Sequence, residues 1–140
     1  MRYSVGAVTD RPLGRAASTL IVDDELDMRT LIRLVIELKA EGFEVAGEAA
    51  DGVEALEQWR ELGPPPQPDI VVLDNRMPRM SGLEVAATIL EQVPEQRIIL
   101  YSAHLNDDVR SEAERLGIRR CMSKSEIQLL PEVLKEILNS

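Results

Sequence analysis

The stretch PDIVVLDNRMPRMSGLEV, residues 68 to 85, sets Asp74 directly behind the apolar residues Ile70 to Leu73. A carboxylate at the end of a buried run is costly unless something outside must reach it. Two further acids, Asp23 and Asp24, follow the apolar run STLIV (18–22). Ser102 closes RIILYS (97–102), and Lys124 follows IRRCMS (118–123). Each has a plain structural reading. Asp23 or Asp24 can cap a following helix, Ser102 can be an ordinary loop hydroxyl, and Lys124 a solvated lysine. Gathered in one place they read differently. Three carboxylates without a cation raise one another's pKa, so the set asks for Lys124 and a divalent metal. Oxygen ligands on loops suit Mg²⁺ or Mn²⁺, with positions left for water and a phosphoryl oxygen.

What would gather them is the order of elements. STLIV reads as a strand, and from Leu26 to Ala40 the residues Met28, Leu31, Ile32 and Val35 keep helical spacing. FEVAGEA (43–49) is a second strand and DGVEALEQW (51–59) a helix with Val53, Leu56 and Trp59 on one face. GPPPQP (63–68) is a loop, because proline lacks the amide donor and restrains the residue before it. DIVVL is a third strand, followed by a helix after Gly82 marked by Leu83, Ala86, Ala87 and Leu90. RIILYS is a fourth strand, a helix runs from Asn106 to Leu116 and stops at Gly117, and IRRCMS is a weaker fifth strand. The last helix carries Val133, Leu134, Ile137 and Leu138, with Pro131 in its first turn. Alternation of this kind predicts an α/β fold: a doubly wound, five-stranded parallel sheet with five helices, joined by right-handed crossovers. In such sheets ligands collect at the carboxyl ends of the strands. Asp23, Asp24, Asp74, Ser102 and Lys124 all fall there.

Composition bounds the rest. The chain has 140 residues, enough for one domain with a core. Residues 1 to 17 show neither period and read as a flexible tail, leaving 18–140 as the domain. With 16 basic and 25 acidic residues the net charge is −9, which disfavours binding to nucleic acid or anionic lipid. The single cysteine, Cys121, excludes an internal disulfide and suits a reducing compartment. No apolar run reaches membrane-span length, and SVGAV is too short for a signal-peptide core, so the expected location is cytoplasmic.

IVDDE, VVLDNRMPRMSGLEV, YSA and MSKS, in this order and spacing, resemble the receiver domain of two-component response regulators, with a flavodoxin-like fold, over residues 18 to 139. The resemblance implies that Asp74 accepts a phosphoryl group from a sensor histidine kinase or a histidine phosphotransfer protein. It implies that Asp24 ligates Mg²⁺ directly, that Asp23 acts largely through water, and that the main-chain carbonyl of Arg76 is a further ligand beside Asp74. Ser102 would be the switch hydroxyl and Lys124 the pairing cation of the phosphoryl group. The domain would catalyse only its own phosphorylation and dephosphorylation, and would switch binding of a downstream protein, with dimerisation through the fourth helix, fifth strand and fifth helix open to it.

Three positions depart from the family pattern. Ser125 stands where proline usually follows the lysine through a cis bond. A non-proline cis bond costs about 3 kcal/mol, so the loop is expected to be trans and displaced, or strained cis. Cys121 stands where an aromatic switch residue is common. Arg76, two residues after the acceptor, is bulky and cationic, and either shields the phosphoryl group or points to solvent. His104, the only histidine, lies two residues past Ser102. A haloacid-dehalogenase-type phosphatase would want a second aspartate at position 76, and Gly-rich dinucleotide or Walker loops are absent. The remaining alternatives are a stand-alone phosphate shuttle, an interaction module that is never phosphorylated, and the excised receiver of a transcriptional regulator. With Ser140 just after the fifth helix, no DNA-binding or enzymatic output domain is expected in these residues.

Overall fold

A computed structural model describes residues 15–63 and 68–140. Five parallel strands form one sheet in the order β2-β1-β3-β4-β5: β1 (Ala17–Val22), β2 (Phe43–Ala49), β3 (Ile70–Asp74), β4 (Arg97–Ser102) and β5 (Arg120–Ser123). Among the described residues five α-helices connect or follow them: α1 (Leu26–Lys39), α2 (Gly52–Glu61), α3 (Gly82–Gln92), α4 (Asp107–Leu116) and α5 (Leu130–Leu138). The expected architecture is the observed one.

β3 is buried along its whole length, as a central parallel strand covered on both faces must be. Leu20, Val22, Val71, Leu73, Ile98 and Leu100 point toward α2, α3 and α4, where Trp59 and Ile89 fill the layer. Ile21, Ile70, Val72, Ile99 and Tyr101 point the other way, onto Ile32 and Ile36 of α1 and Val133, Leu134 and Ile137 of α5. The chain leaves β1 for β2 on one side and for β3 on the other. The switch point in strand order therefore lies at β1 and β3, whose ends carry Asp23 and Asp74.

Several details differ from the sequence reading. β1 begins at Ala17, which is fully buried, so the sheet claims the last residue of the expected tail; residues 1–14 of that tail lie outside the described residues. The proline loop is described only at Gly63 and Pro68. β3 starts at Ile70, because Asp69 is held in the preceding bend, accepting from the amide of Ser18 at 2.7 Å. β5 is shorter than expected, since Ile118 still closes α4: its amide reaches the Ala113 carbonyl at 3.0 Å. On α2, Val53 is exposed while Ala55, Leu56 and Trp59 face inward. On α1 the inward residues are Ile32 and Ile36, and Leu31 is exposed along with Leu34 and Leu38. A 3₁₀ turn, Lys124–Leu129, that the sequence reading did not anticipate fills the link between β5 and α5. Among the described residues no helix is long and apolar enough to cross a membrane.

Candidate functional site

The carboxyl ends of β1, β3, β4 and β5 do meet at one rim. Asp23 follows β1, and its carboxylate is fully buried. Neither Asp23 nor Asp24 caps α1. The cap position is Glu25, with no side-chain cap bond. Instead Asp23 Oδ1 accepts from the Glu25 amide at 2.8 Å, which turns the chain out of the strand and leaves Asp24 exposed. One carboxylate oxygen each from Asp23, Asp24 and Asp74 lie within 4.8 Å of one another. Asp24 makes no hydrogen bond or ion pair among the described residues.

Lys124 is the cation of the group. Its Nζ stands 3.2 Å from Asp23 Oδ2, 3.4 Å from Asp74 Oδ2 and 3.5 Å from Glu25 Oε1, and 5.4 Å from the centroid of the Tyr101 ring. Burial pulls the ammonium's pKa down, but Asp74 and Asp23 outweigh it and the net direction is up. Lys124 is held in place by its own chain: Ser123 Oγ accepts from the Ser125 amide at 3.3 Å and the Glu126 carboxylate accepts from the Ser123 amide at 3.1 Å. Those capping bonds, a polar box at the start of the 3₁₀ turn, occupy the place where the family pattern has proline.

Asp74 is almost wholly buried at the end of β3. Burial, and then the charge of Asp23, push its carboxyl up to about 6, against the pull of Lys124 and of the Arg76 amide, which reaches Asp74 Oδ1 at 3.4 Å. The loop after it folds tightly back. Gly82 donates to the Asn75 carbonyl at 2.8 Å and Leu83 to Asn75 Oδ1 at 3.2 Å. A Cβ on Gly82 would lie 2.8 Å from Asn75 Cα and closer still to the Asp74 carbonyl oxygen, so only glycine lets α3 start there. Ser81 caps α3 through a capping box with Glu84.

The remaining expected residues lie on or beside the rim. Ser102 is buried, and its Oγ accepts from the His104 amide at 3.2 Å. The Arg76 and His104 side chains are exposed, and the Arg76 guanidinium makes no ion pair among the described residues. Cys121 is half-buried in β5; burial pushes its thiol up, partly offset by Arg110.

Three contacts escaped the sequence reading. Glu25 joins the partners of Lys124. Arg79, at φ 70°, sends its guanidinium 2.6 Å from Asp51 Oδ2, while Asp51 Oδ1 caps α2 through the Glu54 amide at 2.9 Å. Tyr101 donates to Asp23 Oδ2 at 2.6 Å. The last had a signal: a tyrosine one residue from the end of a buried strand needs a partner for its hydroxyl.

Residues 19–135 match the family model described as response regulator receiver domain. Over 84 residues the chain is 44% identical to the chemotaxis protein CheY of Listeria monocytogenes; the alignment covers 60% of this chain and 66%, just under two thirds, of that protein. The crystal structure of the response regulator domain of Thermotoga maritima CheB is similar with a TM-score of 0.77 at 29% identity, covering 90% of this chain and 98% of that one. A chain of the CheX–CheY–BeF3–Mg²⁺ complex from Borrelia burgdorferi is similar with a TM-score of 0.76 at 26% identity, covering 89% of this chain and 92% of that one.

Proposed function

This chain belongs to the response regulator receiver family, and from that premise we propose that it is a switch phosphorylated on Asp74. The observation that carries the reading is the buried Asp74 carboxylate, set between Lys124 and two further aspartates at the rim of the sheet. With a pKa of about 6, Asp74 is about nine-tenths ionised at pH 7 and available as a nucleophile. Its oxygen forms a bond to phosphorus as the bond to the donor histidine's nitrogen breaks. The electron pair leaves with the imidazole, and an acyl phosphate results. Lys124 is within reach to pair with a phosphoryl oxygen, and rotation of the Ser102 hydroxyl away from the His104 amide would give it a second partner.

The donor set fits a hard divalent cation. It is all oxygen, it carries more negative charge than Lys124 can balance, and Asp24 is unengaged among the described residues. Asp24, Asp74 and, as the family resemblance implies, the carbonyl of Arg76 would hold Mg²⁺, with Asp23 behind them. The ion would neutralise charge on the transferring phosphoryl group. The similar chain of the Borrelia CheX–CheY–BeF3–Mg²⁺ complex, crystallised with Mg²⁺, supports this reading.

The donor would be a sensor histidine kinase or a histidine phosphotransfer protein in the cytoplasm. The responding face would be that of α4, β5 and α5, where α4 is anchored by one fully buried residue, Ala113. Incubation with Mg²⁺ and a small phosphodonor, followed by mass spectrometry, tests the assignment. Wild type should gain one phosphoryl group at Asp74, and Asp74→Asn should gain none. Labelling that survives the substitution moves the acceptor elsewhere, and a wild type that never labels leaves an interaction module.

A further inference from the structure

Tyr101 is fully buried, its ring packed with Ile21, Ile32 and Leu134 on the α1 and α5 side of the sheet. Its hydroxyl nevertheless emerges beneath the acidic rim, 2.6 Å from Asp23 Oδ2 and 3.2 Å from the Val22 carbonyl. Burial, and next to it the charge of Asp23, push the phenol's pKa far up, so the hydroxyl stays a donor.

That contact completes an unusual enclosure of Asp23. Its amide donates to the Ala49 carbonyl at 3.1 Å and its carbonyl accepts from Arg29 Nη1 at 2.7 Å. Oδ1 accepts from the Glu25 amide at 2.8 Å, and Oδ2 takes both Tyr101 and, at 3.2 Å, Lys124 Nζ. A carboxylate offers about four lone-pair directions. Oδ2 is filled by its two donors, and Oδ1 has a single direction left. Asp24, next in the chain, has no hydrogen-bond or ion-pair partner among the described residues.

We propose that Tyr101 is a positioning residue that, as a donor to Asp23 Oδ2, withholds part of that carboxylate's charge from the metal and so lowers the site's affinity for it. The inference rests on the metal-assisted reading above. Two effects oppose each other when the hydroxyl is removed. Asp23 loses a restraint, which loosens the site, and it loses a donor, which leaves a buried anion in greater need of a cation. The second effect wins. In Tyr101→Phe the ring still fills the core, and the two main-chain bonds, the Glu25 amide and Lys124 still hold the side chain. The charge that the phenol had offset is then available to the ion.

Titration of the protein with Mn²⁺, following free ion by electron paramagnetic resonance, reads this without any phosphodonor. Tyr101→Phe should bind Mn²⁺ about three- to tenfold more tightly than wild type, as expected when an ion takes over part of a charged hydrogen bond. In an Asp23→Asn background the same change should have no effect, because the carboxylate through which it acts is gone. A tyrosine with only a structural role would leave affinity unchanged or weaken it on removal, and either result overturns the inference. So does an equal tightening in the Asn background. A wild type that binds no Mn²⁺ overturns the metal reading and this inference with it, whereas binding by wild type with an unaltered Phe variant overturns this inference alone.

Discussion

Ionised Asp74 should cost the metal-free protein stability, and the cost should depend on pH. The ordinary carboxyl value of 3.8 is raised to about 6 by burial and by Asp23, so the folded state binds this proton more tightly than the unfolded chain does. Below pH 3.8 both states are protonated and nothing is lost. As pH climbs from 4 through 6 the unfolded chain releases its proton first, and folding loses stability until both states are ionised. At about 1.4 kcal/mol per pH unit, the full loss is about 3 kcal/mol. Asp74→Asn removes the charge and keeps the shape. In EDTA at pH 7.5 it should raise the unfolding free energy by about 2 to 3 kcal/mol, or the melting temperature by roughly 5 to 10 °C. Near pH 4 the two proteins should coincide. Saturating Mg²⁺ should narrow the gap at pH 7.5, because an ion bound at this site would stabilise the wild-type carboxylate. Urea melts of both proteins across this range, with and without Mg²⁺, give the difference at each pH. An Asn variant no more stable than wild type at pH 7.5, or a gain that does not vanish toward pH 4, would refute the argument.

Three further outcomes concern the loop after Asp74 and His104 beyond β4. Gly82→Ala forces a Cβ against Asn75 Cα and the Asp74 carbonyl, which should cost about 1 to 3 kcal/mol in a urea melt and slow labelling by a small phosphodonor; an unchanged midpoint would show that the loop yields freely. Arg76 is exposed and makes no ion pair among the described residues; beside Asp74 its guanidinium can cover a phosphoryl group in a fork geometry, so Arg76→Ala should lose phosphate about tenfold faster. His104→Ala, measured alongside at fixed Mg²⁺, should decay at the wild-type rate or more slowly, and an Arg76→Ala decay no faster than wild type makes that side chain a bystander.

The sequence exposed most where one physical rule governed a whole segment. β3 had to be a central strand because Ile70 to Leu73 leave no polar face, and a parallel sheet sends every carboxyl end to the same edge. That is why Asp23, Asp74, Ser102 and Lys124 could be brought together from four separate stretches. Helical spacing was less decisive for α1, which has two apolar faces. Ile32 and Ile36 enter the core, while Leu31, Leu34 and Leu38, spaced by three and four, form a second stripe, with Leu38 75% exposed. Periodicity finds both stripes and cannot say which one meets the sheet; the choice is made by Ile21, Tyr101 and Leu134 on the other side. The site was hidden for a related reason. The order of residues names the acids but not the donors that reach them from other strands. Arg79 meets Asp51 across 28 residues and Tyr101 meets Asp23 across 78. Asp23 and Asp24 are neighbours of one residue type, yet one is enclosed by donors and the other is exposed, with no partner among the described residues. The distinction arises because Asp23 still follows the line of β1, with its amide on the Ala49 carbonyl, whereas the turn made at the Glu25 amide throws Asp24 outward. Any division of labour between them at a metal would therefore be a property of where the strand ends.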